Sequence, residues 1–423
     1  MDRIKQFAIT LLCLLTLFVL MFFAGWTEEL GEYRGSISYT PLYKPAQETV
    51  LPPKELFLET WGLIKKNYWD NDLNEQNWSH WKKRYLHKIE TEEDAYVAIN
   101  SMLASLNDPY SKFLSSEEFK EQNNSIDSKI YGIGINIASV SGKIYIINVV
   151  KGAPAELGGL RPGDMILKIN GNNVNGDNVF QTAGYIKGSL NSFVDLEILR
   201  DNKRLTKRIK RAEIKIKTVE SEIMDKEIGY IRIVSFISSD GPVEFIDALN
   251  KVKDTNALIL DLRGNTGGLF QNAVFVANMF LEKGNIVKVI GRGGHNSSYT
   301  AEEKEYIYDK PLIVLVDGES ASASEIVSAA LKDNGRALIV GTKTFGKGVV
   351  QKVYTMPNNM GMNLTIARYL TPSGSDIDKK GIEPNYFVEI TKDDFEKNND
   401  SQLNFAKNML KTQIERGKLA GAH

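Results

Sequence analysis

The longest apolar run lies at the amino terminus. Phe7 to Trp26 reads FAITLLCLLTLFVLMFFAGW and carries no charge. At 1.5 Å rise per residue, a helix of about 20 residues spans a hydrocarbon core of roughly 30 Å. Arg3 and Lys5 precede the run, and Glu28, Glu29 and Glu32 follow it. The positive-inside bias then places residues 1–6 in the cytoplasm and everything after the span outside. A cleaved signal peptide would have a shorter apolar stretch and an A-x-A-like site. Here Phe23 stands three residues before a cut after Gly25. A retained anchor over 7–26 is the expectation, with Cys13 an apolar membrane residue.

Beyond the anchor the pattern changes several times. Residues 27–53 are polar, with Pro41, Pro45, Pro52 and Pro53, and read as a linker. Residues 54–121 have helical periodicity. Leu56, Leu58, Trp61, Ile64 and Tyr68 fall in one stripe, and Tyr96, Ile99, Met102, Leu103 and Leu106 in another. Asn107-Asp108-Pro109 ends that pattern. Residues 130–211 are Gly-rich, with short β-type runs at 144–150, 165–169, 194–200 and 205–210, and read as a small, mainly β domain. Residues 214–391 alternate strand candidates (229–234, 257–262, 286–290, 312–316, 337–340, 349–354) with helix candidates (242–252, 270–281, 322–332), the pattern of an α/β domain. The tail, 392–423, reads as a polar helix over 403–415 that frays.

Composition narrows the chemistry. There are 52 Lys+Arg against 53 Asp+Glu, a formal net charge of -1, which gives no electrostatic footprint for nucleic acid. One cysteine and four histidines exclude an intrachain disulfide framework and a Cys-rich zinc site. His80 and His87 sit in a Trp-rich stretch and read as packing or surface residues. No metal and no cofactor are expected. The chemistry falls to Ser, Thr, Lys, Asp, Glu or Gln.

Four stretches could carry it. In PLIVLVDGESASASEIVSAAL, 311–331, an apolar strand leads into a helix whose start is built of small residues. A serine there would lie at a helix N-terminus, whose free N–H groups and dipole favour an oxyanion. Plain helix capping by Ser320 or Ser322 explains the same pattern. Spacing does not say which of Ser320, Ser322 and Ser324 would act. GTKTFGKGVVQ, 341–351, fails as a phosphate loop. Gly348 stands where Ser/Thr is needed, and a β-like run follows where a helix is needed. Lys347 could be a base if burial lowers its pKa, or simply a solvated charge. DLRGNTGG, 261–268, is a Gly-rich turn at a strand's carboxyl end, suited to half an oxyanion hole or to a tight helix entry. YGIGINI, 131–137, could hold a peptide carboxylate on backbone N–H groups, or be an ordinary hairpin.

Taken in order, LNDPYSKFL (106–114), GLRPGDMILKING (159–171), DLRGNTGG, SASASEI, FGKGVVQ and GIEPN (381–385) resemble the carboxy-terminal processing peptidases, or tail-specific proteases. The resemblance covers about 56–388. It implies an α/β crotonase-like peptidase core, an inserted mainly-β PDZ domain, an N-terminal helical region and, with the apolar run above, one N-terminal transmembrane helix. It implies that Ser322 is the nucleophile, Lys347 the base, and Gln351 the residue that orients the lysine. The oxyanion hole would be the N–H groups of Gly268 and Ala323. Gly132, Ile133, Gly134 and Ile135 would receive the peptide. Partners would be protein substrates with unstructured carboxyl-terminal tails, and a homodimer is expected. Asp317-Gly318-Glu319 departs from the family's usual sequence before SASAS, which puts the local turn in question. Two rival readings stand beside this one: a non-catalytic membrane-tethered PDZ adaptor, and a thioester acyl-transfer enzyme.

Overall fold

The computed structural model describes residues 50–126, 129–140, 142–174, 179–215, 217–302, 308–391, 394 and 399–420. The span expected at 7–26 lies outside the described residues. Among those described, no helix is long and apolar enough to cross a membrane. The chain divides into two compact units, one formed by residues up to Asn123 together with Thr218 onward, the other by Asn124–Lys217.

The first unit begins with helices α1 (Pro53–Asn67), α2 (Trp78–Tyr85) and α3 (Glu92–Ala104), a short strand β1 (Lys112–Leu114) and α4 (Ser116–Ile126). α1 starts with proline in its first turn, where the missing N–H costs nothing. α3 has a capping box, Thr91 with Asp94. Of the expected stripes, Leu56, Ile64, Tyr68, Ile99, Met102, Leu103 and Leu106 are buried and Leu58, Trp61 and Tyr96 half-buried, but not only against each other. Leu56, Ile64, Ile99, Met102 and Phe113 share one core with Met356, Met360, Met362 and Leu364. Residues 54–121 contain α1, α2, α3, β1 and the start of α4, and they belong to the unit that holds residues 218 onward.

The second unit contains β2 (Lys129–Gly132), β3 (Ile135–Val140), β4 (Lys143–Val149), α5 (Pro154–Leu157), β5 (Met165–Ile169), β6 (Asn172–Asn173), α6 (Val179–Ile186), β7 (Phe193–Arg200), β8 (Lys203–Lys210) and β9 (Ala212–Lys215). β3-β4-β5-β7-β8 form one antiparallel sheet, with β6 on β5, and β2 pairs with β9. Ile144, Ile146, Ile166, Val194, Leu196 and Ile198 fill its core. Alternate burial along β7 shows a sheet with one wet face.

The first unit resumes with β10 (Val219–Met224), β11 (Ile228–Ile233), α7 (Gly241–Val252), β12 (Ala257–Asp261), α8 (Phe270–Asn278), β13 (Asn285–Gly291), β14 (Asn296–Thr300), β15 (Leu312–Val316), α9 (Ala323–Asp333), β16 (Leu338–Gly341), β17 (Val349–Thr355), β18 (Gly361–Leu370), β19 (Tyr386–Phe387) and α10 (Ser401–Ala420). One sheet has the order β10-β11-β12-β15-β16-β19, parallel from β11 onward. β12 and β15 are buried at every position, because both faces of the sheet are covered. Leu258, Leu260, Val314 and Val316 face a core shared with α7, α8 and α9. Ala257, Ile259, Ile313 and Leu315 face Ala406, Leu410 and Ile414 of α10. A second sheet, β1-β18-β13-β14 with β17 on β18, carries the segment after Lys347.

Candidate active site

β12 and β15 are neighbouring parallel strands, and the turns after them meet at the carboxyl end of the sheet. The turn after β15 distinguishes the three serines. Ser320 and Ser324 are both fully buried. Their hydroxyls donate to the carbonyls of Leu262 at 2.9 Å and Asn265 at 2.8 Å. Ser322 alone keeps partial solvent access. It is the N-cap of α9 and has φ 55° and ψ -113°. For a non-glycine residue this conformation is strained, and such strain collects at functional sites. The unusual Asp317-Gly318-Glu319 still makes the turn. The Asp317 carboxylate accepts from the N–H groups of Glu319, Ser320 and Gly264, each at 3.0 Å.

The DLRGNTGG turn is fastened to this one by Asn265. Its carbonyl accepts from the Ala321 N–H at 3.1 Å, and its side chain accepts from the Gly267 N–H at 2.9 Å. A Cβ on Gly267 would meet the Ala321 carbonyl oxygen at 2.7 Å and Ser322 Cβ at 2.9 Å, so only glycine allows this approach. Gly268 has φ 149°, and a Cβ there would lie 2.2 Å from the Phe236 carbonyl carbon. Among the described residues, neither the Gly268 nor the Ala323 N–H has an acceptor. Two uncommitted donors flanking the Ser322 turn are what an oxyanion hole requires. Arg263 braces the turn from behind through Asp261 at 2.6 Å and Asp400 at 2.8 Å. Burial works against the guanidinium's charge, but these two carboxylates outweigh it and hold the group firmly protonated.

Lys347 is brought alongside by a carboxylate that the sequence reading missed. Glu325, fully buried in the first turn of α9, accepts four hydrogen bonds. Oε2 takes the Ser322 N–H at 2.8 Å and the Lys347 N–H at 2.9 Å. Oε1 takes the Gly346 N–H at 2.7 Å and the Thr344 hydroxyl at 2.7 Å. One side chain thus pins the serine turn to the lysine loop. The signal was present: Ser322-x-x-Glu325 is a capping-box pattern. The buried Tyr369 hydroxyl adds a second pin, its single O–H lying between the carbonyls of Lys347 and Ser322. The glycines flanking Lys347 let its loop lie on residues 378–381. A Cβ on Gly346 would come within 2.8 Å of Gly381 N, and one on Gly348 within 2.8 Å of Asp378 N.

Burial pushes the Lys347 ammonium below the ordinary lysine range, and the carboxylates of Asp108 and Glu325 pull it partly back. Its Nζ lies 4.7 Å from the ring centroid of Tyr110. Among the described residues it has no hydrogen bond or ion pair. Gln351 follows a bulge in β17, and its amide donates to the Thr365 hydroxyl at 3.3 Å. The structure therefore brings Ser322, Lys347, Gly268 and Ala323 to one place. Gln351 stands on the adjacent hairpin, bonded to Thr365 rather than to the lysine.

In the other unit, Gly134 has φ 78°, and a Cβ there would meet the Ala153 side chain at 2.3 Å. Ile133 is buried, and its carbonyl accepts from the Ala155 N–H at 2.8 Å. The N–H groups of Ile133 and Gly134 have no acceptor among the described residues. Ile135 opens β3, an edge strand, and Gly132 closes β2. A loop with uncommitted N–H groups beside a free strand edge suits an extended chain end.

Sequence comparison agrees with this geometry. Residues 227–388 match the model of peptidase family S41, 132–210 a PDZ domain, and 52–96 the tricorn protease C1 domain. The chain is 35% identical over 346 residues to a carboxyl-terminal-processing protease of Picosynechococcus sp., covering 79% of this chain and 83% of that protein. The chain belongs to the carboxyl-terminal-processing protease family. This protease is also 38% identical over 313 residues to the carboxy-terminal processing protease CtpA of Bacillus subtilis, covering 73% of this chain and 67% of the relative. Among solved structures it resembles the photosystem II D1 C-terminal processing protease, with TM-score 0.56 and 30% identity over 80% of this chain and 94% of that one. The protease is thus a serine-type peptidase of the S41 fold that carries a PDZ domain. That sets aside the adaptor and thioester readings. The PDZ domain fits protein substrates presented by their carboxyl-terminal tails.

Proposed function

We propose that Ser322 is the nucleophile and Lys347 its base, in a membrane-anchored endopeptidase that captures protein tails at Gly132–Ile135. The observation that carries this reading is the Glu325 carboxylate, which bonds the Ser322 and Lys347 backbones through a single oxygen. Neutral Lys347 takes the Ser322 Oγ proton as Oγ attacks the substrate carbonyl carbon. The negative charge that develops on the carbonyl oxygen is held by the N–H groups of Gly268 and Ala323, each worth about 3 kcal/mol of barrier. The intermediate collapses, the C–N bond breaks, and the lysine proton passes to the leaving amine. Lys347, neutral again, deprotonates a water that releases the acyl group from Ser322. Gln351 orients the lysine in the working enzyme. That role requires its amide to leave Thr365 or to act through it. The uncharged run 7–26 supports an anchor that places the catalytic unit on the extracytoplasmic side.

The test compares wild type, Ser322→Ala and Lys347→Ala on an unfolded protein with an apolar carboxyl-terminal tail, with products read by mass spectrometry. Cleavage by wild type alone is the expected result. Undiminished turnover by either variant rejects the assignment.

A further inference from the structure

The segment LNDPYS, 106–111, has no part in the dyad, yet its tyrosine lies against the base. The 4.7 Å between Lys347 Nζ and the Tyr110 ring centroid is within the range where the electron-rich face attracts a cation. The turn that carries Tyr110 is held firmly. The Asp108 carboxylate accepts from the Tyr110 N–H at 3.0 Å and the Ser111 hydroxyl at 2.6 Å. The Ser111 oxygen in turn accepts from the Thr365 N–H at 3.0 Å. Thr365 is also the residue that holds the Gln351 amide. The ring facing the lysine and the threonine holding the glutamine thus belong to one hydrogen-bonded frame.

A ring face attracts an ammonium and is nearly indifferent to a neutral amine. It therefore favours the form of Lys347 that cannot accept a proton. We propose that Tyr110 is a positioning residue that holds Lys347 in a protonated resting pose, from which the lysine departs as it becomes the base for Ser322. This rests on Lys347 being that base. The other groups around the lysine are accounted for. Asp108, from the same turn, and Glu325, from α9, both favour the ammonium. Tyr369 acts on the Lys347 carbonyl, and the Asp378 carboxylate accepts from the Gly348 N–H at 3.2 Å. Burial, with Asp378, Asp108 and Glu325, raises the Tyr110 phenol, so it stays neutral where the lysine titrates.

The experiment uses the full chain and the pH profile of kcat/KM on the unfolded substrate. Tyr110→Leu keeps apolar bulk and deletes the ring. Its acid limb should move to lower pH by about half to one unit. Tyr110→Phe keeps the ring face, and its limb should stay at the wild-type position. Pentafluorophenylalanine at position 110 preserves the ring's shape and reverses its quadrupole. It should reproduce the leucine shift even if the leucine variant fails to fold. A lower rate at every pH with an unmoved limb, in the leucine or fluorinated enzyme, overturns the proposal. So does a phenylalanine variant that shifts as leucine does. Lys347→Ala separates the two readings: retained turnover there defeats the base assignment, whatever the Tyr110 variants show.

Discussion

Glu325→Gln is the substitution that most directly tests how the site is built. The two side chains are nearly isosteric, so packing is kept and only hydrogen bonding changes. The carboxylate accepts four bonds of 2.7–2.9 Å in a fully buried position. It also lies in the first turn of α9, where the helix dipole favours negative charge. An amide has one acceptor oxygen. If its NH2 faces Ser322 and Lys347, two buried N–H groups lose their acceptor. If the amide is flipped, Thr344 can accept through its hydroxyl oxygen, but the Gly346 N–H is stranded. Each orphaned buried donor costs roughly 1–3 kcal/mol, and the surviving bonds lose their charge assistance. The total is about 3–5 kcal/mol, against a typical stability of roughly 5–15 kcal/mol. The protein should fold, with a clearly lower urea midpoint. Displacing the serine turn from the lysine loop by about 1 Å should cost on the order of 100-fold in kcat. Urea titration and turnover on the unfolded substrate measure both quantities. A Glu325→Gln enzyme with wild-type midpoint and wild-type kcat would refute the idea that this carboxylate assembles the site.

Two further outcomes follow from the same geometry. Lys347 is held below its ordinary range chiefly by burial. Its charge penalises folding fully below the folded pKa, and the penalty fades as pH rises toward the unfolded value of about 10.4. Lys347→Met should therefore melt higher than wild type near neutral pH, and the difference should shrink toward pH ~10; a difference independent of pH would contradict the burial. Gly268→Ala forces a Cβ to within 2.2 Å of the Phe236 carbonyl carbon. It should lower kcat by at least about 100-fold, the scale of one lost oxyanion donor, with little change in substrate capture; a fully active alanine variant would remove Gly268 from the oxyanion hole.

Much of this was legible in the chain because it is local. The runs Ala257–Leu262 and Leu312–Val316 read as strands, and both are strands buried throughout. Their Gly-rich and Ser-rich exits read as site turns, and the two turns meet. What separates the remaining alternatives lies at long range. Choosing among Ser320, Ser322 and Ser324 depends on Leu262 and Asn265 absorbing two of the hydroxyls. The sequence reading did not anticipate β18, Gly361–Leu370. With it went Thr365, which holds the Gln351 amide, and Tyr369, which reaches the Ser322 and Lys347 carbonyls. No periodicity in residues 54–121 could reveal that their core would be completed by Met356, Met360, Met362 and Leu364.

That shared core has a consequence for biosynthesis. Ser111 and Thr365 are separated by 254 residues, and β1 pairs with β18 just inside that interval. The PDZ unit lies wholly inside that gap and has its own core, so it can fold while the rest is still being translated. The helices made before it can pack on one another, but the core they share with Met356, Met360, Met362 and Leu364 stays incomplete until β18 has left the ribosome. Until then the Tyr110 turn has no strand to dock on, and Lys347 lacks its surroundings. A ribosome stalled before β18 would therefore display a folded PDZ unit while the first unit still lacks the strand that completes its core.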